Sequence, residues 1–219
     1  MDIQLFNYLQ SLLTDRRRAL FKEVLAQRTR HFTVVTEDVY QLHNTSAVMR
    51  SCDVFGIQDL HVVEEKYGKR IDREIAMGAQ KWVNLFRYDT IKGCIASLRK
   101  QGYQIIATTP HDESTLLHEF DVTKKSAFFF GKENDGLSDL VLQEADGVLK
   151  IPMYGFTESL NISVSAAIIL QEVVTRMRIE NVPWALSDAE KLEIEMAWTQ
   201  KTIKSTPEII ERYYKDKNS

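Results

Sequence analysis

Between His31 and Lys150 the chain repeats one design, a short run of β-branched or aromatic residues followed by a stretch with helical spacing. The apolar runs are FTVVTEDV, LHVVE, WVNLFRY, GYQIIATT, SAFFFG and DGVLKIPM, and helical stretches near 45–55, 89–100 and 138–145 lie between them. Strands alternating with helices predict an α/β fold of about six mostly parallel strands, because parallel neighbours need crossover connections. An uninterrupted run such as AFFF belongs to a sheet covered on both faces. With 219 residues, 44% of them hydrophobic, the chain has the apolar side chains for such a core.

The flanks have a different texture. Residues 1–30 read as an N-terminal helical extension, with Leu5, Tyr8, Leu9 and Leu12 at helical spacing and a break and N-cap at Thr14 or Asp15. Residues 31–180 hold the α/β domain, and 181–219 form a C-terminal helical extension with Ser187 as its N-cap. The two cysteines, Cys52 and Cys94, lie in no metal-binding or CxxC spacing, and the five histidines form no HExxH pattern, so no metal is expected. No basic leader precedes an apolar run, and no stretch approaches the roughly 20 apolar residues of a membrane span, which predicts a soluble cytoplasmic protein.

A net charge of −3 does not by itself advertise a nucleic-acid surface. The distribution is less even than the sum. Arginines gather at Arg16, Arg17 and Arg18, at Arg28 and Arg30, and at Arg176 and Arg178, where each group fits either a solvated helix face or a phosphate contact.

Three segments carry chemistry. In FFFGKENDGLSD, Gly131 and Gly136 are five apart after an apolar strand, but no lysine follows Gly136, which excludes a phosphate-cradling P-loop. A glycine-permitted approach of backbone to a ligand at the carboxyl edge of the sheet remains, with Glu133 in that loop, alongside the plainer reading of a tight turn with a solvated glutamate. In LHNTSAVMRSCDVFG, Asn44 is expected to cap a helix whose face carries Ser46, Arg50 and Asp53 opposite Val48, Cys52 and Phe55. In IPMYGFTESLNISVSAAIIL a helix is expected from about Ser159, because Ile162, Ala166, Ile169, Leu170, Val173 and Met177 share one face.

In this order and spacing, HNTSAVMRSCDVFG, FFFGKENDGLSD and IPMYGFTESLNISVSAAIIL resemble the three motifs of the SpoU/TrmH branch of the SPOUT RNA methyltransferases. The similarity spans roughly residues 30–178, and the helical ends resemble those of tRNA guanosine-18 2'-O-methyltransferases. The resemblance implies a SPOUT α/β trefoil-knot fold, a rare exception to the rule that chains do not thread their own loops. It also implies S-adenosylmethionine bound bent in the knot, a homodimer with active sites near the subunit interface, and a tRNA substrate. By position the cofactor pocket is expected to involve Thr108, Thr109, Gly131, Ile151, Met153, Ser159 and Leu160. Asn44, Arg50, Glu133 and Asn161 match motif residues linked to catalysis. In that scheme Arg50 activates the ribose 2'-hydroxyl, as a general base assisted by substrate phosphate or as a phosphate anchor that stabilises the developing alkoxide, and Asn44 holds Arg50 or its loop. Glu133 organises the cofactor loop, and Asn161 with Ser159 fixes the cofactor. Arg16 to Arg18, Arg28, Arg30, Arg176 and Arg178 would then form a local basic face for RNA. A D-loop guanosine of tRNA is the leading target; ribosomal RNA, another tRNA nucleotide, or a non-catalytic knotted RNA-binding protein are the alternatives.

Overall fold

The apolar runs pair into one sheet because their alternate side chains find cover on opposite faces. Its strands are β1 (Phe32–Glu37), β2 (Asp59–Val63), β3 (Asn84–Tyr88), β4 (Gln104–Thr108), β5 (Thr115–Leu116), β6 (Ser126–Phe130) and β7 (Gly147–Lys150). The computed structural model describes residues 2–39, 42–64, 76–110, 114–132 and 135–217. They fall into two compact units, Thr29–Trp184, which holds the sheet, and Met1–Arg28 with Ala185–Ser219. Strand order is β3-β2-β1-β6-β4-β7-β5, and the pairings are parallel throughout. Six of these strands are the predicted runs; the seventh, β5, is two residues long and carries too little periodicity to be read in advance.

Among the described residues, four helices cover the sheet: α3 (Leu42–Val54), α4 (Ile91–Lys100), α5 (Asp139–Glu144) and α6 (Ile162–Ile179). One face buries Phe32, Val34, Phe128 and Phe130 with Val48 and Cys52 of α3 and Ala166, Ile169, Leu170, Val173 and Met177 of α6. The other buries Val35, Ile105, Ala127 and Phe129 with Cys94, Ile95 and Leu98 of α4 and Val141 of α5. Within β6 the two-residue period therefore sends Phe128 and Phe130 one way and Ala127 and Phe129 the other, which is why the run is apolar throughout.

Two helix starts differ from expectation. Helix α3 begins at Leu42, so Asn44 sits inside its first turn, 2% exposed, instead of capping it. Ser46, expected on the outer face with Arg50, is fully buried, whereas Arg50 is exposed. Helix α6 begins at Ile162 with Asn161 as its extended N-cap (φ −55°, ψ 140°), so Ser159 lies in the preceding loop rather than in the helix. The cap wins because the Asn161 side chain satisfies an amide that the helix leaves without an internal partner.

Buried polar groups in this unit are held by specific partners. Asp59, 4% exposed, accepts from Arg30 Nε at 2.9 Å and from Asn84 Nδ2 at 2.9 Å. His61, 2% exposed on β2, lies near-parallel to the rings of Phe86 and Tyr88 with Nδ1 3.1 Å from the Tyr88 hydroxyl. Burial disfavours the imidazolium and pushes the His61 pKa down to about 4. With the folded value below the unfolded one, the unfolded chain takes up this proton first. Stability is therefore retained above about pH 6.5 and lost as pH falls towards 4. At about 1.4 kcal/mol per pH unit, wild type should lose roughly 2–3 kcal/mol more than His61→Phe between pH 7.5 and 4.5. Denaturant unfolding of both proteins at the two pH values measures that difference.

The second unit contains α1 (Ile3–Ser11), α2 (Asp15–Leu25), α7 (Asp188–Thr202) and α8 (Thr206–Lys217). Asp2 caps α1, Thr14 caps α2, and Ser187 with Glu190 forms a capping box at α7. Leu5, Leu9 and Met196 pack with Ile203, Ile209, Ile210 and Tyr213, and Phe21 meets Trp198 edge-on with ring centroids 5.5 Å apart. Among the described residues no helix is long and apolar enough to cross a membrane, and no cluster of His, Cys, Asp and Glu is placed to hold a metal ion.

Candidate active site at the carboxyl edge of the sheet

Strands β6, β4 and β7 are neighbours and parallel, so their carboxyl ends lie side by side. That register gathers residues far apart in sequence. Thr108 Oγ1 donates to the Phe129 carbonyl at 2.7 Å, and the Thr109 amide donates to the Leu149 carbonyl at 3.0 Å. These bonds seat Thr108 and Thr109 between the strand ends that continue into Gly131 and Ile151. Ile151 and Met153 are half-buried after β7, while Ser159 and Leu160 are exposed in the loop before α6.

The described ends of the segment after β6 are bonded to each other. The Lys132 amide donates to the Gly136 carbonyl at 2.9 Å and the Gly136 amide donates back at 3.0 Å. A Cβ on Gly131 would lie 2.2 Å from the Gly136 carbonyl carbon and oxygen, so no side chain fits there. Gly136 adopts φ +69°, the left-handed region where glycine has no steric penalty. Glu133, the expected loop carboxylate, lies outside the described residues.

A second cluster ties α3 to α6. Asn161 Oδ1 accepts from the Ser163 amide at 2.8 Å and the Ser163 hydroxyl at 2.6 Å, while its Nδ2 donates to Asn44 Oδ1 at 3.2 Å. One asparagine thus caps its own helix and joins the first turn of another. Arg50, further along α3, borders a groove lined by Ser51, Val54, Ser163, Val164 and Ile168. The Arg50 side chain is exposed.

Residues 31–171 match the SpoU rRNA Methylase family. The chain belongs to that family. It is 37% identical over 197 residues to the tRNA (guanosine(18)-2'-O)-methyltransferase of Borreliella burgdorferi, covering 90% of each protein. The crystal structure of the Aquifex aeolicus TrmH/SpoU tRNA modifying enzyme superposes with a TM-score of 0.78 at 32% identity, covering 86% of this chain and 98% of that one. The SpoU methyltransferase AviRb of Streptomyces viridochromogenes, solved in complex with the cofactor AdoMet, shares the fold at a TM-score of 0.62 and 22% identity. It covers 72% of this chain and 64% of that one.

Within this SpoU chain the expected RNA-facing arginines have unequal surroundings. Arg16 and Arg17 are exposed on α2, and Arg18 donates to the Gln10 carbonyl at 3.0 Å and pairs with Asp15. Arg176 pairs with Glu180 at 3.0 Å, and Arg178 lies 4.4 Å over the Trp184 ring. Arg28 is a correction: it is 2% exposed and lies over Trp198 at 5.3 Å, so it supports packing and presents no charge to a phosphate. Arg30 is partly exposed, with its Nε bonded to the buried Asp59 at 2.9 Å. The sequence assigned no role to Glu37, yet the structure brings it to this sheet edge, where Oε2 accepts from the Ser138 amide at 2.9 Å. Its one signal is an acidic pair, Glu37 and Asp38, ending an otherwise apolar strand.

Proposed function

We propose that this protein transfers a methyl group from S-adenosylmethionine to the ribose 2'-hydroxyl of guanosine 18 in the D-loop of tRNA, as a homodimer of trefoil-knotted chains. The Asn161–Asn44 hydrogen bond carries the reading, because it locks the third motif to the helix that bears Arg50 beside the gathered strand ends. Membership of a methylase family and the 37%-identical tRNA (guanosine(18)-2'-O)-methyltransferase support the choice of chemistry and substrate.

The cofactor residues fit their ligand. Thr108, Thr109, Gly131, Ile151, Met153, Ser159 and Leu160 carry no formal charge, and the glycine admits close approach of backbone, which suits a ligand held through main-chain groups. When bound, S-adenosylmethionine supplies an electrophilic methyl group on a sulfonium. The chain supplies position and charge. Arg50 carries a guanidinium, a cation that only donates hydrogen bonds, and it anchors a substrate phosphate and stabilises the alkoxide developing on the 2'-oxygen. The hydroxyl proton passes to a phosphate oxygen or to water. Asn44 and Asn161 hold the relative position of α3 and α6, and Glu133 organises the cofactor loop.

Exposed Arg16 and Arg17, with Arg18, Arg176 and Arg178, are assigned to the RNA backbone. Homodimerisation is supported by exposed apolar side chains along the α3–α6 groove, Val54 at 69%, Val164 at 44% and Ile168 at 37%, which a second copy would cover. A cytoplasmic setting belongs to the same proposal, since Cys52 and Cys94 are free buried thiols. The reading is tested with a tRNA carrying 2'-deoxyguanosine at position 18: label from S-adenosylmethionine should enter the ribose form and not the deoxy form. Equal labelling of both would refute it.

A further inference from the structure

We infer that Glu37 and Asp38 are positioning residues that hold Ser138 and Lys132, on the described ends of the segment after β6, in the arrangement that binds the cofactor, an inference that rests on the cofactor reading above. Both carboxylates are buried, Glu37 at 6% and Asp38 at 5% exposure, where an acidic side chain persists only with partners. Each meets the loop at a different end. Glu37 Oε2 accepts from the Ser138 amide at 2.9 Å, and Asp38 Oδ2 lies 3.9 Å from Lys132 Nζ. Successive residues of a strand send their side chains to opposite faces, so two neighbours reaching one loop needs an explanation. Asp38 supplies it: it lies just past β1 at φ +46°, with its amide bonded to the Val63 carbonyl at 2.9 Å, and this left-handed turn breaks the alternation.

Between these holds the two ends are fastened to each other by the Lys132–Gly136 bonds and the Gly131 contact. Losing Glu37 leaves the Ser138 amide without its acceptor and lets Gly136–Ser138 part from Gly131 and Lys132. Apparent affinity for a ligand falls by the fraction of molecules that remain competent.

Four proteins test this: wild type, Glu37→Leu, which is similar in size without an acceptor, Glu37→Gln, which keeps an acceptor oxygen, and Lys132→Met. Calorimetric titration with S-adenosylmethionine should give a Kd raised on the order of tenfold in Glu37→Leu and within about threefold of wild type in Glu37→Gln. In the cofactor-free proteins, amide hydrogen exchange over 131–138 should quicken in Glu37→Leu and not in Glu37→Gln. Lys132→Met, which releases the other end without touching the core, should show a smaller acceleration. Unchanged loop exchange in Glu37→Leu overturns the grip, even if its thermal midpoint falls, because a merely structural carboxylate gives that pattern. Quickened exchange with unchanged Kd overturns the link to cofactor. A wild type that binds no S-adenosylmethionine overturns the cofactor reading as well, and the exchange data still judge the grip by themselves.

Discussion

Arg50→Ala is expected to lower the rate of methyl transfer about 10²–10³-fold while leaving the Kd for S-adenosylmethionine within about threefold of wild type. The asymmetry follows from position. Arg50 is exposed on α3 at the α3–α6 groove, whereas the strand-end residues assigned to the cofactor come from β4, β6 and β7. Removing a cation aimed at the developing alkoxide takes away stabilisation that exists in the transition state, so the loss falls on kcat. Arg50→Lys separates the two roles a basic residue can play. A lysine keeps a point charge without the planar fork, so an electrostatic role predicts partial recovery and a pH–rate profile of unchanged shape. Single-turnover rates at saturating tRNA measure the effect, and an Arg50→Ala protein near the wild-type rate would remove Arg50 from the chemistry.

Gly131→Ala should raise the Kd for S-adenosylmethionine on the order of 10²-fold and bring transfer below detection. Its added methyl would meet the Gly136–Leu137 peptide, 2.2 Å from the Gly136 carbonyl and 2.3 Å from the Leu137 nitrogen. Backbone atoms cannot rotate aside as the end of a side chain can, so the loop must open by more than an ångström. Overpacking of this kind costs about 1–3 kcal/mol of stability, which leaves the sheet folded while the loop is displaced. Circular dichroism should therefore stay close to wild type as calorimetric binding is lost. Wild-type affinity in Gly131→Ala would show that the close approach of Gly131 to Gly136 does not shape the pocket.

Much of the sheet is legible in the sequence because β1, β2, β4 and β6 read as short runs rich in β-branched and aromatic residues between helical stretches. The buried stripe of α6 is equally clear, since Ile162, Ala166, Ile169, Leu170, Val173 and Met177 all pack inward. Helix starts are harder. From Ser159 to Ser165 polar and apolar residues alternate, and only the observed bond from Asn161 to Ser163 shows where the cap falls. The Asn161–Asn44 bond spans 117 positions and has no local signature. Arg28 is misleading for a physical reason: a charged side chain reads as surface, yet its guanidinium lies over Trp198. Glu37 has the converse problem, because its partner is a backbone amide about 100 residues away and any residue type can supply one. The motifs themselves are recognisable in sequence through family resemblance, and the structure adds which of their side chains touch.

In the proposed function these joined motifs direct methylation of the 2'-oxygen of guanosine 18. Its most direct test is incubation of the protein with S-adenosylmethionine and unmodified transcripts of tRNA and ribosomal RNA, followed by mass-spectrometric mapping of each ribose methyl group. A single 2'-O-methylguanosine at tRNA position 18 is the predicted result; methylation confined to ribosomal RNA or to another tRNA nucleotide, or none in either RNA, would contradict it.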